Sequence, residues 1–219
     1  MNQFIQSAKS KLSGALPGLE AQLQMAGALR AKETLEAIEV PKQARQAAVM
    51  ILFHQMEGSP WKTVLIQRSV HPNDRHSGQI SFPGGSVQAE DTSLEATALR
   101  ELEEEVGIKA DAVELLGRLT ELYIPVSNFI VHPFVGVLRT PAAFTPQIGE
   151  VEQILFPDMQ CFYHPRYRKR TDLRLSTGYL LSDMPYFDVE GHIVWGATAM
   201  MMSELTCVLE PDLLGIRPQ

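Results

Sequence analysis

Cysteine is scarce in this chain: Cys161 and Cys207 are the only two in 219 residues, far apart and without metal-like spacing. That excludes a disulfide framework and a cysteine-based zinc site, so both thiols read as packing residues in a reduced, cytoplasmic setting. Long apolar runs are missing too. No stretch approaches the length of a transmembrane span, and residues 1–6, MNQFIQ, lack the basic-then-apolar layout of a secretory signal. Basic charge is in deficit, with 19 Lys and Arg against 26 Asp and Glu for a formal net charge of −7. Nucleic acid, which needs a basic face, is not an expected partner, and neither is a membrane. A small anionic substrate remains compatible, because bound divalent cations can supply local positive charge. Apolar residues are what the chain has in quantity, 45% of the total, enough for a sizeable core in one domain with an added terminal element.

Residues 2 to about 34 place Phe4, Ile5, Ala8 and Leu12 at helical spacing, and Pro17 and Gly18 divide the stretch into two short helices. Residues 1–40 therefore read as a helical appendage with a packing or dimerisation role, and residues 41–219 as the main domain. Short apolar runs at 48–53, 63–67 and 80–82 read as strands, the last stopped by Pro83-Gly84-Gly85. A helix is expected from about Thr92 to Val106, ended by Gly107. Strands are expected at 113–123, 130–138 and 151–156, a short helix near 158–163, a hairpin from about 171 to 195 and a packed helix at 196–209. Irregular alternation of strands and helices predicts an α/β fold, an α/β/α layered sandwich.

Residues 99–108 carry the chemistry. Glu101, Glu104 and Glu105 stand at i, i+3 and i+4, on one helix face, while Leu99, Leu102 and Val106 form an apolar stripe that anchors the helix. Glu103 projects elsewhere, into solvent. Like charges at these spacings oppose one another, no Lys follows at i+4 within the helix, and the helix dipole disfavours acids in the last turns. A costly acidic cluster held by an apolar stripe is what a hard divalent cation needs. Pro83-Gly84-Gly85 adds a backbone without side chains, where a carbonyl or amide can approach a metal or phosphate.

Gly85, Asp91 and Arg100-Glu101-Leu102-x-Glu104-Glu105-x-Gly107-Ile108 together resemble the Nudix box. The interval from Gly85 to Arg100 is one residue longer than usual, and Asp91 or Glu90 stands where the first box glutamate is expected, so three carboxylates carry the reading rather than four. The resemblance implies a Nudix-type sandwich with a mixed sheet and a hydrolase of pyrophosphate bonds using Mg²⁺ or Mn²⁺. It implies metal ligation by Gly85, Glu101, Glu104 and Glu105, with Arg100 orienting a carboxylate and Glu101 as ligand or base. A further ligand or general base from a downstream loop falls on Glu150, with Glu152 as its neighbour.

Upstream, residues 65–69 and 75–85 resemble the additional motif of coenzyme A pyrophosphatases, a likeness continued at 116–119, 123–127, 133–136, 150–151 and 195–199. That branch implies coenzyme A or an acyl form as substrate, cleaved to 4′-phosphopantetheine and adenosine 3′,5′-bisphosphate. Arg68, Arg75, His76 and Gly84 would then meet the phosphates. The basic run 164–170 reads as a solvated loop, with the 3′-phosphate as its alternative ligand. ADP-ribose or another nucleoside-diphosphate derivative is the rival substrate, and a catalytically silent nucleotide sensor is the rival class. His54, His132 and His192 show no metal spacing and receive no role.

Overall fold

The computed structural model describes residues 1–28, 41, 43–56, 59–70, 76–175 and 178–216. The end of the expected helical stretch and Arg75 lie outside them.

Residues 47–53 are apolar almost without alternation, as a strand covered on both faces requires. They form most of β1 (Arg45–His54), and its side chains divide by parity. Ala47, Ile51 and Phe53 enter one apolar cluster, and Ala48, Met50 and Leu52 enter another on the opposite face. β1 pairs antiparallel with β2 (Lys62–Thr63). Beyond β3 (Leu65–Arg68) and β4 (Ile80–Ser81) comes β5 (Gly84–Ser86), which pairs with the first half of β1 through Ala48↔Gly85 and Val49↔Gly84. β6 (Val113–Arg118) and β7 (Leu122–Ile124) run antiparallel along β8 (Phe129–Leu138), whose other edge pairs in parallel with β1 from Arg45↔Phe129 to Phe53↔Val137. These strands make a mixed six-stranded sheet. β3 and β4 join β9 (Val151–Leu155) in a three-stranded antiparallel sheet of order β4-β3-β9.

Helices cover both faces of the large sheet. α1 (Asn2–Leu12) and α2 (Gly18–Leu23) lie at the N-terminus, α3 (Leu94–Val106) follows β5, α4 (Gln160–Tyr163) is a single turn, and α5 (Gly196–Val208) is the last α-helix. α3 places Ala98, Leu102 and Val106 against Met50, Leu52 and Phe134. On the other face, Phe4, Ile5, Ala8 and Leu12 of α1 join Met200, Met201, Met202 and Leu205 of α5. Phe4 lies 4.2 Å from Trp61 and 5.3 Å from Phe53, centroid to centroid, so α1 packs into the core with its whole apolar stripe. The layers are α/β/α, as the alternation predicted.

Three expectations need correction. Cys207 is exposed, so only Cys161 is a buried packing residue. Gly84 and Gly85 do not simply stop a strand; they are the body of β5. Glycine carries little strand propensity of its own, and here the pairing comes from β1, distant in sequence. The basic run is also not a loop throughout. After a 3-10 turn at Pro165–Tyr167 it enters β10 (Arg168–Arg174), which pairs with β11 (Leu180–Val189) and through it with β12 (His192–Trp195). Its cations are spoken for locally: Lys169 meets Asp188, Arg170 Nε lies 2.7 Å from Asp183, and Arg168 stands over the Phe187 ring.

Candidate active site

α3 begins at Ser93, whose Oγ accepts from Ala96 N at 3.1 Å, and ends at Gly107, whose φ of 76° permits the left-handed cap. With both ends fixed and its stripe seated on β1, the angular position of each acid is set. The three glutamates are not equivalent. The Glu105 side chain is 3% exposed and that of Glu104 is 47% exposed, with Glu101 at 13%.

Glu105 turns inward over β5, where its Oε2 accepts from Gly84 N at 2.8 Å, and Arg68 Nη1 stands 3.7 Å from Oε1. Burial pushes its carboxyl up to about 7, against the Gly84 hydrogen bond and Arg68, with Glu101 and Glu150 adding repulsion. Burial also raises Glu101; Arg100 opposes the rise, while Glu104 and Glu150 add to it. Glu101, Glu105 and Glu150 thus share one electrostatic field.

Arg100 organises the outer half. Its Nε donates to Asp91 Oδ1 at 2.9 Å and its Nη2 to Asp91 Oδ2 at 3.0 Å, a two-point grip. Nη1 donates to Glu101 Oε1 and Glu104 Oε2, both at 2.9 Å, and Nη2 also reaches the Ser86 carbonyl at 3.1 Å. The guanidinium, with help from Gln88 N, holds Asp91 well below the usual carboxylate range. Two readings sharpen here. The repulsion expected along the helix is offset by Arg100, four residues before Glu104. Glu103, though on the solvent side as expected, is paired with Lys109 beyond the cap.

The glycines are explained by close approach. A Cβ on Gly85 would fall 2.4 Å from Glu101 Oε1, and one on Gly84 would fall 2.4 Å from Ala48 O and 2.6 Å from Val49 Cα. Gly85→Ala should still fold, because its clash is with the end of a flexible side chain. It should lose about tenfold to hundredfold in kcat/KM by displacing Glu101. Steady-state kinetics beside a thermal melt test this; unchanged turnover would show that Glu101 needs no such approach.

Glu150 sits where residues 139–150 return from β8 to β9. Its carbonyl accepts from Ser69 N at 2.8 Å, beside Arg68, which brings it to the inner carboxylates. His76 lies in the turn before β4, its Nδ1 3.1 Å from Gln79 Oε1. Among the described residues no three His, Cys, Asp or Glu side chains gather as a ready ligand set, and Arg100 and Gly84 N engage carboxylate oxygens of the three glutamates. The donors still fit a hard cation: they are all oxygen, and two are raised by burial and mutual repulsion, which positive charge would relieve. Sequence reasoning gave Gly84 to the phosphates, whereas its amide donates to Glu105, and it missed the Ser86 carbonyl, which carries no side-chain signal. It left Asp91 without a role, although an acid inside the motif was the available clue.

A sequence model of the NUDIX domain matches residues 44–167, more than half of the chain. The uncharacterized Nudix hydrolase NudL of Escherichia coli O7:K1 is 35% identical over 176 residues, covering 80% of this chain and 85% of that protein. NudL of Shigella flexneri, also uncharacterized, is 35% identical over 167 residues, covering 75% and 83%. Among solved structures, a MutT/nudix family protein from Enterococcus faecalis has a TM-score of 0.49 at 16% identity, covering 93% of this chain and 80% of its own. The NUDIX domain of Shewanella oneidensis NrtR, solved with ADP ribose, has a TM-score of 0.44 at 23% identity, covering 59% and 83%. The chain belongs to the Nudix hydrolase family and is an enzyme of the pyrophosphatase class. Nudix hydrolases act on small molecules and generally use divalent ions such as Mg²⁺. No helix among the described residues is long and apolar enough to cross a membrane.

Proposed function

We propose that this enzyme cleaves the pyrophosphate of coenzyme A or an acyl form to 4′-phosphopantetheine, or its acyl form, and adenosine 3′,5′-bisphosphate. The observation that carries the reading is the position of Arg68. Its guanidinium stands 3.7 Å from Glu105, so the strand bearing the upstream motif runs directly into the carboxylate cluster. The substrate choice rests on the likeness of residues 65–69 and 75–85 to the coenzyme A branch.

Glu101, Glu104, Glu105 and the Gly85 carbonyl would hold the divalent ion, Mg²⁺ or Mn²⁺, which supplies positive charge against the phosphoryl oxygens. Arg100, anchored on Asp91, keeps Glu101 and Glu104 in place. Arg68, beside Glu105, would take a phosphoryl oxygen, with Arg75 and His76 as the further phosphate contacts, while the Gly84 amide is already given to Glu105. Water adds to one phosphorus, the bond to the bridging oxygen breaks, and that oxygen leaves on the other phosphate. Glu150 receives the water's proton, with Glu101 as the alternative acceptor.

Initial rates with coenzyme A, an acyl form, ADP-ribose and dinucleotides test this in Mg²⁺ and in EDTA. The expected result is the highest kcat/KM on coenzyme A or its acyl form, and loss of all turnover in EDTA. A strong preference for ADP-ribose would overturn the substrate, and binding without turnover of any diphosphate would favour the sensor.

A further inference from the structure

Residues 139–150 form a strap over the end of α3. An α-helix leaves its last carbonyls without partners, and the strap supplies two. Thr145 N donates to Val106 O at 2.9 Å, and Gln147 N donates to Glu105 O at 3.0 Å. Gly107 leaves room for this, since a Cβ there would stand 3.2 Å from Thr145 Cβ. The chain then folds around Gln147. Its carbonyl accepts from Glu150 N at 3.3 Å and from Val151 N at 3.0 Å, with Gly149 at φ 94° making the reversal. Ser69 N, donating to Glu150 O, pins the far side to β3.

The side chain of Gln147 completes the circuit. Its Nε2 donates to Glu150 Oε1 at 3.3 Å, while its Oε1 is buried without a hydrogen-bond partner among the described residues. Enclosing an amide oxygen in that way costs desolvation, so the orientation asks for a reason. A reason is at hand in what the amide holds.

We infer that Gln147 is a positioning residue, which hangs the Glu150 carboxylate from the backbone of Glu105 so that proton acceptor and carboxylate helix keep a fixed relation. The inference rests on Glu150 being the proton acceptor. It adds that the acceptor's aim is set from the helix side and not by β9 alone. Glu150 is an exposed residue next to a glycine. Without the amide, its side chain would sample rotamers that turn away from Glu101 and Glu105.

Gln147→Met removes the amide and keeps both volume and the backbone N–H to Glu105. In the full-length protein it should lower kcat about tenfold with KM changed less than about twofold and melting unchanged within a few degrees. Gln147→Asn, a shorter amide, should fail to restore the rate. The decisive comparison pairs Gln147→Met with Glu150→Gln. If Gln147 acts through Glu150, the double variant is no slower than Glu150→Gln alone. Full kcat in Gln147→Met, or losses that multiply in the double variant, would overturn the inference. A silent Glu150→Gln beside an inactive Glu105→Gln would overturn it too, and would leave metal-dependent hydrolysis by the helix carboxylates standing.

Discussion

Glu105→Gln should reduce kcat/KM by on the order of 10³, about 4 kcal/mol of transition-state stabilisation, and should make the metal-free protein more stable at pH 8. The two halves have one cause. Glu105 is 2% exposed and its carboxyl is pushed up to about 7, largely by burial, from an ordinary 4.5. Between those values the folded protein binds more protons than the unfolded chain, so metal-free stability falls as pH rises through this window. Glutamine has no proton to lose and removes that slope. Its amide oxygen can still accept from Gly84 N, so the geometry over β5 is retained. The stability gain should therefore be absent below about pH 4.5, grow toward neutrality and be complete somewhat above pH 7. Added Mg²⁺ should reverse the order, raising the melting temperature of the native protein and not that of the variant. Melts in EDTA and in Mg²⁺ at pH 5 and pH 8 decide the matter. A variant that melts lower than native in EDTA at pH 8 would contradict the account, as would one that keeps its turnover.

The second large effect lies far from the chemistry. Glu204 on α5 is fully buried and accepts from four donors: Gly18 N at 3.2 Å, Gln22 Nε2 at 2.8 Å, Thr120 N at 3.2 Å and Thr120 Oγ1 at 2.6 Å. One carboxyl thus ties α2, α5 and the turn before β7. Glu204→Ala would strand several buried donors and open a void, with an expected loss of about 3–5 kcal/mol, or roughly 10 °C in melting temperature. Glu204→Gln should be milder, at about 1–2 kcal/mol. Its oxygen can replace the one that accepts three hydrogen bonds, while its new amide meets Gln22 Nε2, which is held in place by its donation to Thr120 O at 3.1 Å. Denaturant titration of both variants, with limited proteolysis of the first helices, tests the tie. An alanine variant as stable as the native chain would refute it.

Much of this site was legible because its signals are local. The spacing of Leu102 and Val106 against Glu101 and Glu105 is a property of one helix, and the helix carries the acids where that spacing puts them. Gly107 marks its end by its own chemistry, and the start reads at about Thr92, one residue ahead of the Ser93 cap. What escaped depends on pairs of distant groups. β5 exists because β1 lies beside it, and nothing in Gly84-Gly85 says so. Glu204 reads in sequence as one more polar position on an apolar helix, and its partners lie 84 to 186 residues away. The strap at Thr145 and Gln147 acts largely through backbone amides, which every residue but proline possesses. Asp91 lies between these cases: its position in the motif was visible, but its grip on Arg100 is a matter of three dimensions.

The tie at Glu204 also sets an order in time. Gly18 and Glu204 stand 186 residues apart, so at 5–20 residues per second about 10–40 s of synthesis separate the two halves of this contact. Until α5 emerges, α2 lacks the helix it packs against and Gly18, Gln22 and Thr120 lack their shared acceptor, though β1 and α3 can already have met. α2 therefore stays without its final partner while the strands and α3 between them are made. Closure of this corner of the core is therefore a late step, taken after the large sheet and α3 can have formed.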